Sequence, residues 1–277
     1  MPGITQTDSE APLLSVKNVK CVTNDGHAIF QGASFDLHEG DIAVLRARSG
    51  VGKSTLVKCL AHLGLYSGEV LYRGRTAKSI GVPRFRTLVT YIPQRPSMLP
   101  GTPREFVQEL AALKARSGGA PYDYVFERIL RVAREWDIDD ALWDRPWNTV
   151  SGGEAQRIAL AIGFGWNTAE VLLLDEPTSA LDAETSAIVE ETLVKEVQDP
   201  ESSLKAIVWI THSDEQAMRV GTRYLRLTPH AVEEDSSFIP SRASSSIGTS
   251  ASRSPSISSN QKLFNHDSRS QSGHLDV

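Results

Sequence analysis

Cysteine is nearly absent from this chain: Cys21 and Cys59 are the only two in 277 residues, and they form no CxxC pair. A disulfide framework is therefore excluded, both thiols read as small buried hydrophobes, and a reducing compartment is expected. Also missing is any uninterrupted apolar stretch near the roughly 20 residues that a membrane-spanning helix needs. The opening MPGITQTDSEAPLL has neither a basic segment nor an apolar one, so it does not read as a secretory signal. Cationic excess is lacking too, with 29 Lys and Arg against 34 Asp and Glu, a net charge of −5 and a pI near 5.8. Nucleic-acid backbones are gripped by an excess of Lys and Arg, so nucleic acid is not expected as the main partner. Any work at a membrane is expected to be done from outside the bilayer, through a partner. What remains, 40% hydrophobic and 23% charged, is the composition of a soluble globular protein long enough to bury a sizeable core.

Alternating apolar residues from Leu13 to Val44, broken at Asn24-Asp25-Gly26 and Glu39-Gly40-Asp41, predict an antiparallel β segment leading into a buried strand that ends near Leu45. STLVKCLAHL follows with helical spacing, and SGEVLYRG and TLVTYIPQ read as further strands. Thr102 to Asp140 turns helical in two pieces, separated by Ser117-Gly118-Gly119-Ala120-Pro121. AEVLLLD and KAIVWITH have the apolar character of central parallel strands, AETSAIVEETLVKEV is an amphipathic helix, and YLRLTPH reads as the last strand. The expectation is an α/β fold spanning 13–232, with an N-terminal antiparallel β subdomain and a helical subdomain at about 101–158. Residues 1–12 are expected to be a flexible lead. Residues 233–277, rich in serine and poor in large apolar side chains, are expected to be a disordered tail.

RARSGVGKST, Arg46 to Thr55, stands where a buried strand gives way to a helix, the setting a P-loop requires. Backbone N–H groups of such a loop cradle phosphates, Lys53 reaches the β and γ oxygens, and the Ser54 hydroxyl holds Mg²⁺. The strict pattern GxxxxGK[ST] fails at its first position, Ala47, while Gly50 and Gly52 are kept. VLLLDEP, Val171 to Pro177, is an apolar strand ending in two carboxylates. Asp175 is placed to bind Mg²⁺, as in a Walker B motif, and Glu176 to polarise an attacking water. A third stretch, VSGGEAQRIAL from Val150 to Leu160, opens a helix on two glycines. It reads either as an anion-binding helix N-terminus or as an ordinary capped helix, with Ser151 the N-cap and Glu154 its capping-box partner.

Further motifs follow the same order along the chain: YIPQ with Gln94, SALD from Ser179 to Asp182, and WITH with His212. Together with SGVGKST (Ser49, Gly50, Val51, Gly52, Lys53, Ser54, Thr55), VSGGE (Ser151, Gly152, Gly153, Glu154) and LLLDEP, they make residues 13 to about 232 resemble the nucleotide-binding subunit of ABC transporters. The resemblance implies a P-loop NTPase core of the ABC type that binds and hydrolyses ATP with Mg²⁺. It implies catalytic positions at Glu176, His212 and Gln94 and metal-binding positions at Ser54, Gln94 and Asp175. It further implies that the SGG segment of one subunit closes over the γ-phosphate of ATP held by the P-loop of a second. A homodimer, or a pair with another ABC ATPase, would then form on ATP and drive a separate transmembrane subunit. That would make the chain cytoplasmic and peripheral on the cytosolic face of a membrane. IVWITHSDEQAMRVGTRYLRLTPHA is similar to the ATP-binding subunits of the Fet family (YbbL type), implicated in iron export, so metal export is the expected process.

The sequence departs from that family in three places. NVKCVT offers Cys21 or Val22 where the family usually stacks adenine on an aromatic ring, the VSGGE segment begins on Val150 instead of leucine, and IGFGWNTAEV lacks the family's common arginine. Two other readings stay open. A soluble ABC ATPase acting on ribosomes or DNA is disfavoured by the single cassette and the acidic pI, and a module that holds nucleotide without turnover is disfavoured by the presence of Glu176 and His212.

Overall fold

The computed structural model describes residues 11–23, 25–96 and 100–238, all within one unit. Its first half runs β1 (Leu14–Val22), β2 (Ala28–Leu37), β3 (Ile42–Arg46), α1 (Lys53–Leu60), β4 (Ser67–Tyr72), β5 (Arg75–Thr76), α2 (Ala77–Ile80), α3 (Val82–Leu88) and β6 (Val89–Ile92). There follow α4 (Pro103–Ala112), α5 (Tyr122–Glu135), α6 (Gly152–Gly165), β7 (Val171–Asp175), α7 (Ala183–Gln198), β8 (Ala206–Ile210), α8 (Asp214–Val220), β9 (Arg223–Leu227) and β10 (Val232–Glu234). Four strands form an antiparallel sheet in the order β2-β1-β4-β5, and six form a second sheet in the order β10-β9-β3-β8-β7-β6. In the second sheet every pairing is parallel except β9 with β10. The mixed α/β architecture expected from the sequence is the one observed.

The apolar strands decide this layering. β7 and β8 are buried along their whole length, as strands covered on both faces must be. Successive side chains point to opposite faces, so each strand feeds two cores. Ile42, Val44, Leu172, Leu174, Ile207 and Trp209 join one cluster with α5, α6 and α7. Ala43, Leu45, Leu173, Val208 and Ile210 join another with α1 and the antiparallel sheet. The helical stretch thus shares a core with one face of the parallel sheet. Its last helix continues beyond the expected limit at 158, because Leu160, Ala161, Ile162 and Phe164 keep a buried face and nothing breaks the helix before Gly165.

Three further elements differ from expectation. The segment after β4 holds β5, α2 and α3, which the sequence pattern did not mark; Thr76 caps α2 by accepting from the Ser79 N–H. YLRLTPH is not the last strand, since Thr228 and Ala231 close a tight turn and β10 pairs back on β9 through Val232↔Leu227 and Glu234↔Leu225. The folded chain therefore passes the expected limit at 232 and reaches a 3₁₀ turn at Ser236–Phe238. Asp235, 5% exposed, explains the extension: its N–H donates to the Tyr224 carbonyl, and its carboxylate lies 3.8 Å from both Arg46 and Arg226. The expectations for residues 1–10 of the lead and for the tail beyond 238 fall outside the described residues.

A chain ending at residue 231 is accordingly expected to melt below one ending at 238, by roughly 2–4 °C for each kcal/mol that β10 and Asp235 contribute. Thermal unfolding of the two chains, followed by circular dichroism, measures this; equal midpoints would remove β10 from the folded unit.

Candidate functional site

β3 ends at Arg46, and the loop Ala47–Gly52 turns into α1. Gly52 stands at the helix N-cap with φ of 105°, and a Cβ there would lie 2.6 Å from Ile29. Only glycine meets both demands. No side chain caps α1, so its first N–H groups stay available for an anion. Lys53 opens the helix and is 8% exposed, its ammonium 3.4 Å from the Ala47 carbonyl. Burial pulls its pKa below the ordinary lysine value, while the carboxylates of Glu176 and then Asp175 pull it back up.

Asp175 ends β7 and is 5% exposed; one carboxylate oxygen accepts from the Tyr91 hydroxyl at 3.2 Å. Burial, then the neighbouring Asp175 charge, pushes the Tyr91 phenol upward, which keeps it a donor. The chain then turns sharply at Glu176, whose φ of 49° is unusual for a side-chain-bearing residue and costs of order 1 kcal/mol. Three hydrogen bonds hold that turn. The Glu176 N–H donates to the Ile210 carbonyl at 3.0 Å, and the Glu176 carbonyl accepts from Gln156 Nε2 at 2.8 Å and from the Ser179 N–H at 3.3 Å. The turn aims the Glu176 carboxylate between two side chains: Gln94 Nε2 donates to one oxygen at 2.8 Å, and His212 Nε2 lies 3.0 Å from the other. Gln94 also reaches Ser179 Oγ at 3.4 Å. Lys53, Gln94, Asp175, Glu176 and His212, scattered in sequence, are thus gathered at one end of the parallel sheet.

VSGGE is not part of that cluster. Ser151 accepts from the Glu154 N–H at 3.3 Å, and Glu154 accepts from the Ser151 N–H at 2.8 Å, so the capping box is formed. The bonds from Ser151 hold the Glu154 carboxyl below the usual range. Among the described residues no hydrogen bond or ion pair joins Ser151 or Gly152 to the P-loop of the same chain, and both are exposed. The two glycines differ. A Cβ at Gly152 would meet nothing, whereas one at Gly153 would lie 2.7 Å from the Ala180 carbonyl. One turn on, Gln156, 2% exposed, donates to the Glu176 carbonyl and accepts from the Ala180 N–H at 3.1 Å. Sequence reasoning passed over Gln156; the available signal was a glutamine three residues from Gly153, on the same buried helix face. It passed over Tyr91 as well.

A family profile described as ABC transporter matches residues 30–179. The chain belongs to the ABC transporter family. The phosphate import ATP-binding protein PstB of Pseudoalteromonas translucida is 32% identical over 221 residues, covering 76% of this chain and 78% of that protein. PstB 1 of Lactobacillus johnsonii is 29% identical and covers 84% and 88%. In fold, the chain is similar to a dimeric ATP-binding cassette solved with ADP and Pi in a post-hydrolysis state (TM-score 0.68, 24% identity, 79% and 96% covered). It is similar also to cbiO1 of Clostridium perfringens, part of the cbiONQ transporter complex (TM-score 0.64, 22% identity, 81% and 88% covered). This family member is an ATPase working with ATP and Mg²⁺. Its residues fit the metal: the hydroxyl of Ser54 and the carboxylate of Asp175 are hard oxygen donors, and Asp175 is buried with no cation at ion-pair distance among the described residues.

At the expected adenine position, Cys21 is buried with its thiol turned to the Leu65 carbonyl, and Val22, 58% exposed, is the side chain left at the surface. Among the described residues no helix is long and apolar enough to cross a membrane.

The glycine pair separates by substitution. Gly153→Ala is expected to destabilise the isolated chain by about 1–3 kcal/mol, because the Ala180 carbonyl is backbone and cannot rotate away. Gly152→Ala is expected to leave it within about 0.5 kcal/mol. Urea unfolding of both variants checks this, and equal losses would contradict it.

Proposed function

We propose that this chain is the ATP-hydrolysing subunit of a transporter, forming an ATP-dependent dimer that drives a separate membrane subunit from the cytosolic face. The observation that carries the reading is the division of the site: Lys53, Gln94, Asp175, Glu176 and His212 converge within one chain, while Ser151 and Gly152 stay exposed and apart. A second chain brought face to face would supply the missing wall. In that assembly Ser151 and the open backbone at Gly152 donate to the γ-phosphate of the partner's ATP. Hydrogen bonds to charged groups are worth about 1.5–3 kcal/mol each, enough for ATP to bind the two chains together.

Within each site Ser49 to Thr55 wrap the phosphates, Lys53 draws on their charge, and Glu176 takes the proton from the attacking water. Gln94 and His212 hold the carboxylate in place for that step. Mg²⁺, when bound, offsets phosphate charge, with Ser54, Gln94 and Asp175 as its protein partners. A groove of about 410 Å³ beside Gln94, lined by Pro93, Pro96, Phe106, Leu110 and Trp147, supports docking of the membrane subunit next to the catalytic cluster.

The metal-export reading rests on the C-terminal stretch alone. The two curated relatives described above are named for phosphate import, which lends metal export no support. Cargo selection belongs to the membrane subunit in this reading, so the proposal stops at transport.

Glu176→Gln is expected to keep ATP binding and lose turnover by roughly 10²–10⁴, trapping a dimer on ATP; steady-state hydrolysis and size-exclusion chromatography measure both. Ser151→Arg is expected to leave nucleotide binding by the single chain nearly intact and to abolish ATP-dependent dimerisation. Mixed with Lys53→Ala chains, it rebuilds one composite site, so some association and hydrolysis should return. Normal hydrolysis by monomeric Ser151→Arg protein would refute the shared site.

A further inference from the structure

On the far side of the helical stretch, a cavity of about 700 Å³ lies between α3, the connection from α4 to α5, and the loop after α6. Among the described residues four cations line it, Arg84, Lys114, Arg116 and Arg128, and no carboxylate does. The Arg116 guanidinium lies over the Trp166 ring at 3.9 Å and donates to Thr168 Oγ1 at 3.4 Å. Among the described residues Arg84 reaches only Thr87 Oγ1, at 3.5 Å, and Arg128 has Glu196 at 3.7 Å, outside the lining. Several other arginines keep a close carboxylate, as Arg73 does with Glu170, Arg104 with Asp144, Arg219 with Glu190 and Arg223 with Asp41, while Arg86, Arg145 and Arg157 bond backbone carbonyls. Arg84 and Arg116 have none within ion-pair distance among the described residues. Burial pushes Arg116 down to about 10, and the nearby Arg84 charge pushes the same way. Two guanidiniums thus line one cavity with no carboxylate at ion-pair distance from either among the described residues.

The first turn of α5 borders the same cavity through Tyr122, Tyr124 and Val125, and its N-cap, Pro121, gives it no side-chain cap among the described residues. Its free N–H groups add partial positive charge to that of the side chains. One carboxylate would answer only one of these cations. A phosphoryl group brings up to two negative charges and three oxygens in the geometry that guanidinium forks match. The volume is that of a small-molecule site.

We propose that this cavity binds a phosphoryl-bearing anion, either a free phosphorylated small molecule or a lipid headgroup, at a site separate from the P-loop. Bound there, the anion bridges the α4–α5 connection to α3 and the Trp166–Thr168 loop, and so ties the helical stretch to the sheet. The site accounts for Trp166, Asn167 and Thr168, which the nucleotide site leaves without a role. It stands independently of the transport reading.

The test is calorimetric titration of the full chain with inorganic pyrophosphate. Lys53→Ala silences the P-loop, and the unsubstituted chain, run in parallel, should show the same site as a second binding step. Saturable binding is expected in the Lys53→Ala chain. Adding Arg84→Glu with Lys114→Glu, both exposed, should weaken it at least about tenfold without lowering the melting midpoint. Co-sedimentation with phosphatidylcholine vesicles, with and without phosphatidic acid, separates the sources: binding to pyrophosphate alone assigns a soluble ligand, and charge-reversible binding to phosphatidic acid assigns a headgroup. Absence of binding to both probes, binding indifferent to the double substitution, or tighter binding of polyglutamate than of pyrophosphate would overturn the proposal.

Discussion

Four strands of the parallel sheet stop in one row, and the position of every reacting group follows from that. Leu45 of β3 pairs with Ile210 of β8, Ile210 with Asp175 of β7, and Ile92 of β6 with Leu174. Loops leaving these ends have nowhere to go but the same edge, so the P-loop, Thr211-His212, Glu176 and Pro93-Gln94 meet there although up to about 160 residues of chain separate them. Register is set by burial: a slip of one residue would exchange the two faces of a strand whose alternate side chains feed different cores. The chemistry is thus held in alignment by the packing of Leu, Ile, Val and Trp side chains that are themselves buried in the two cores.

At that edge the backbone accepts strain at one residue and secures it with partners from three elements. Ile210 from β8, Gln156 from α6 and Ser179 from the following loop all bond the Glu176 peptide groups. Behind them Glu190, 3% exposed, accepts from Arg219 and from Gln216, which also donates to Thr178. The loop after β7 is fastened on both sides, to α6 and to the α7–α8 pair. A side chain that has to meet its target in one geometry gains from a mount that cannot relax.

The sequence made legible whatever depends on local spacing. Gly50 and Gly52 before Lys53, the apolar strand before Asp175 and Glu176, and the Ser151–Glu154 capping box are patterns that short-range geometry imposes, and the alternation of strand and helix gave the fold class. Hidden from it was what only a distant neighbour decides. Gln156 is an ordinary helical glutamine until Ala180 and Glu176 lie against it, and Tyr91 an ordinary strand aromatic until Asp175 does. β10 escaped notice because its three residues pair with β9 across a turn with no glycine. The glycine pair divides along the same line, since Gly153 answers to the chain's own distant Ala180 and Gly152 is left open.

Gly163 and Gly165 sit near the far end of α6, where a Cβ would lie 2.5 Å from the Ile92 side chain and 2.9 Å from the Ile129 backbone. At these points α6 brings no side chain of its own, and the Ile92 side chain of β6 and the backbone of α5 at Ile129 close directly on it. Ile92 and Ile129 fill the notches that the two glycines leave, so moving the helix in any direction breaks a contact or makes a collision. Mechanically α6 is pinned at both ends, by these two notches at one and by Gln156, bonded to Glu176 and Ala180, at the other.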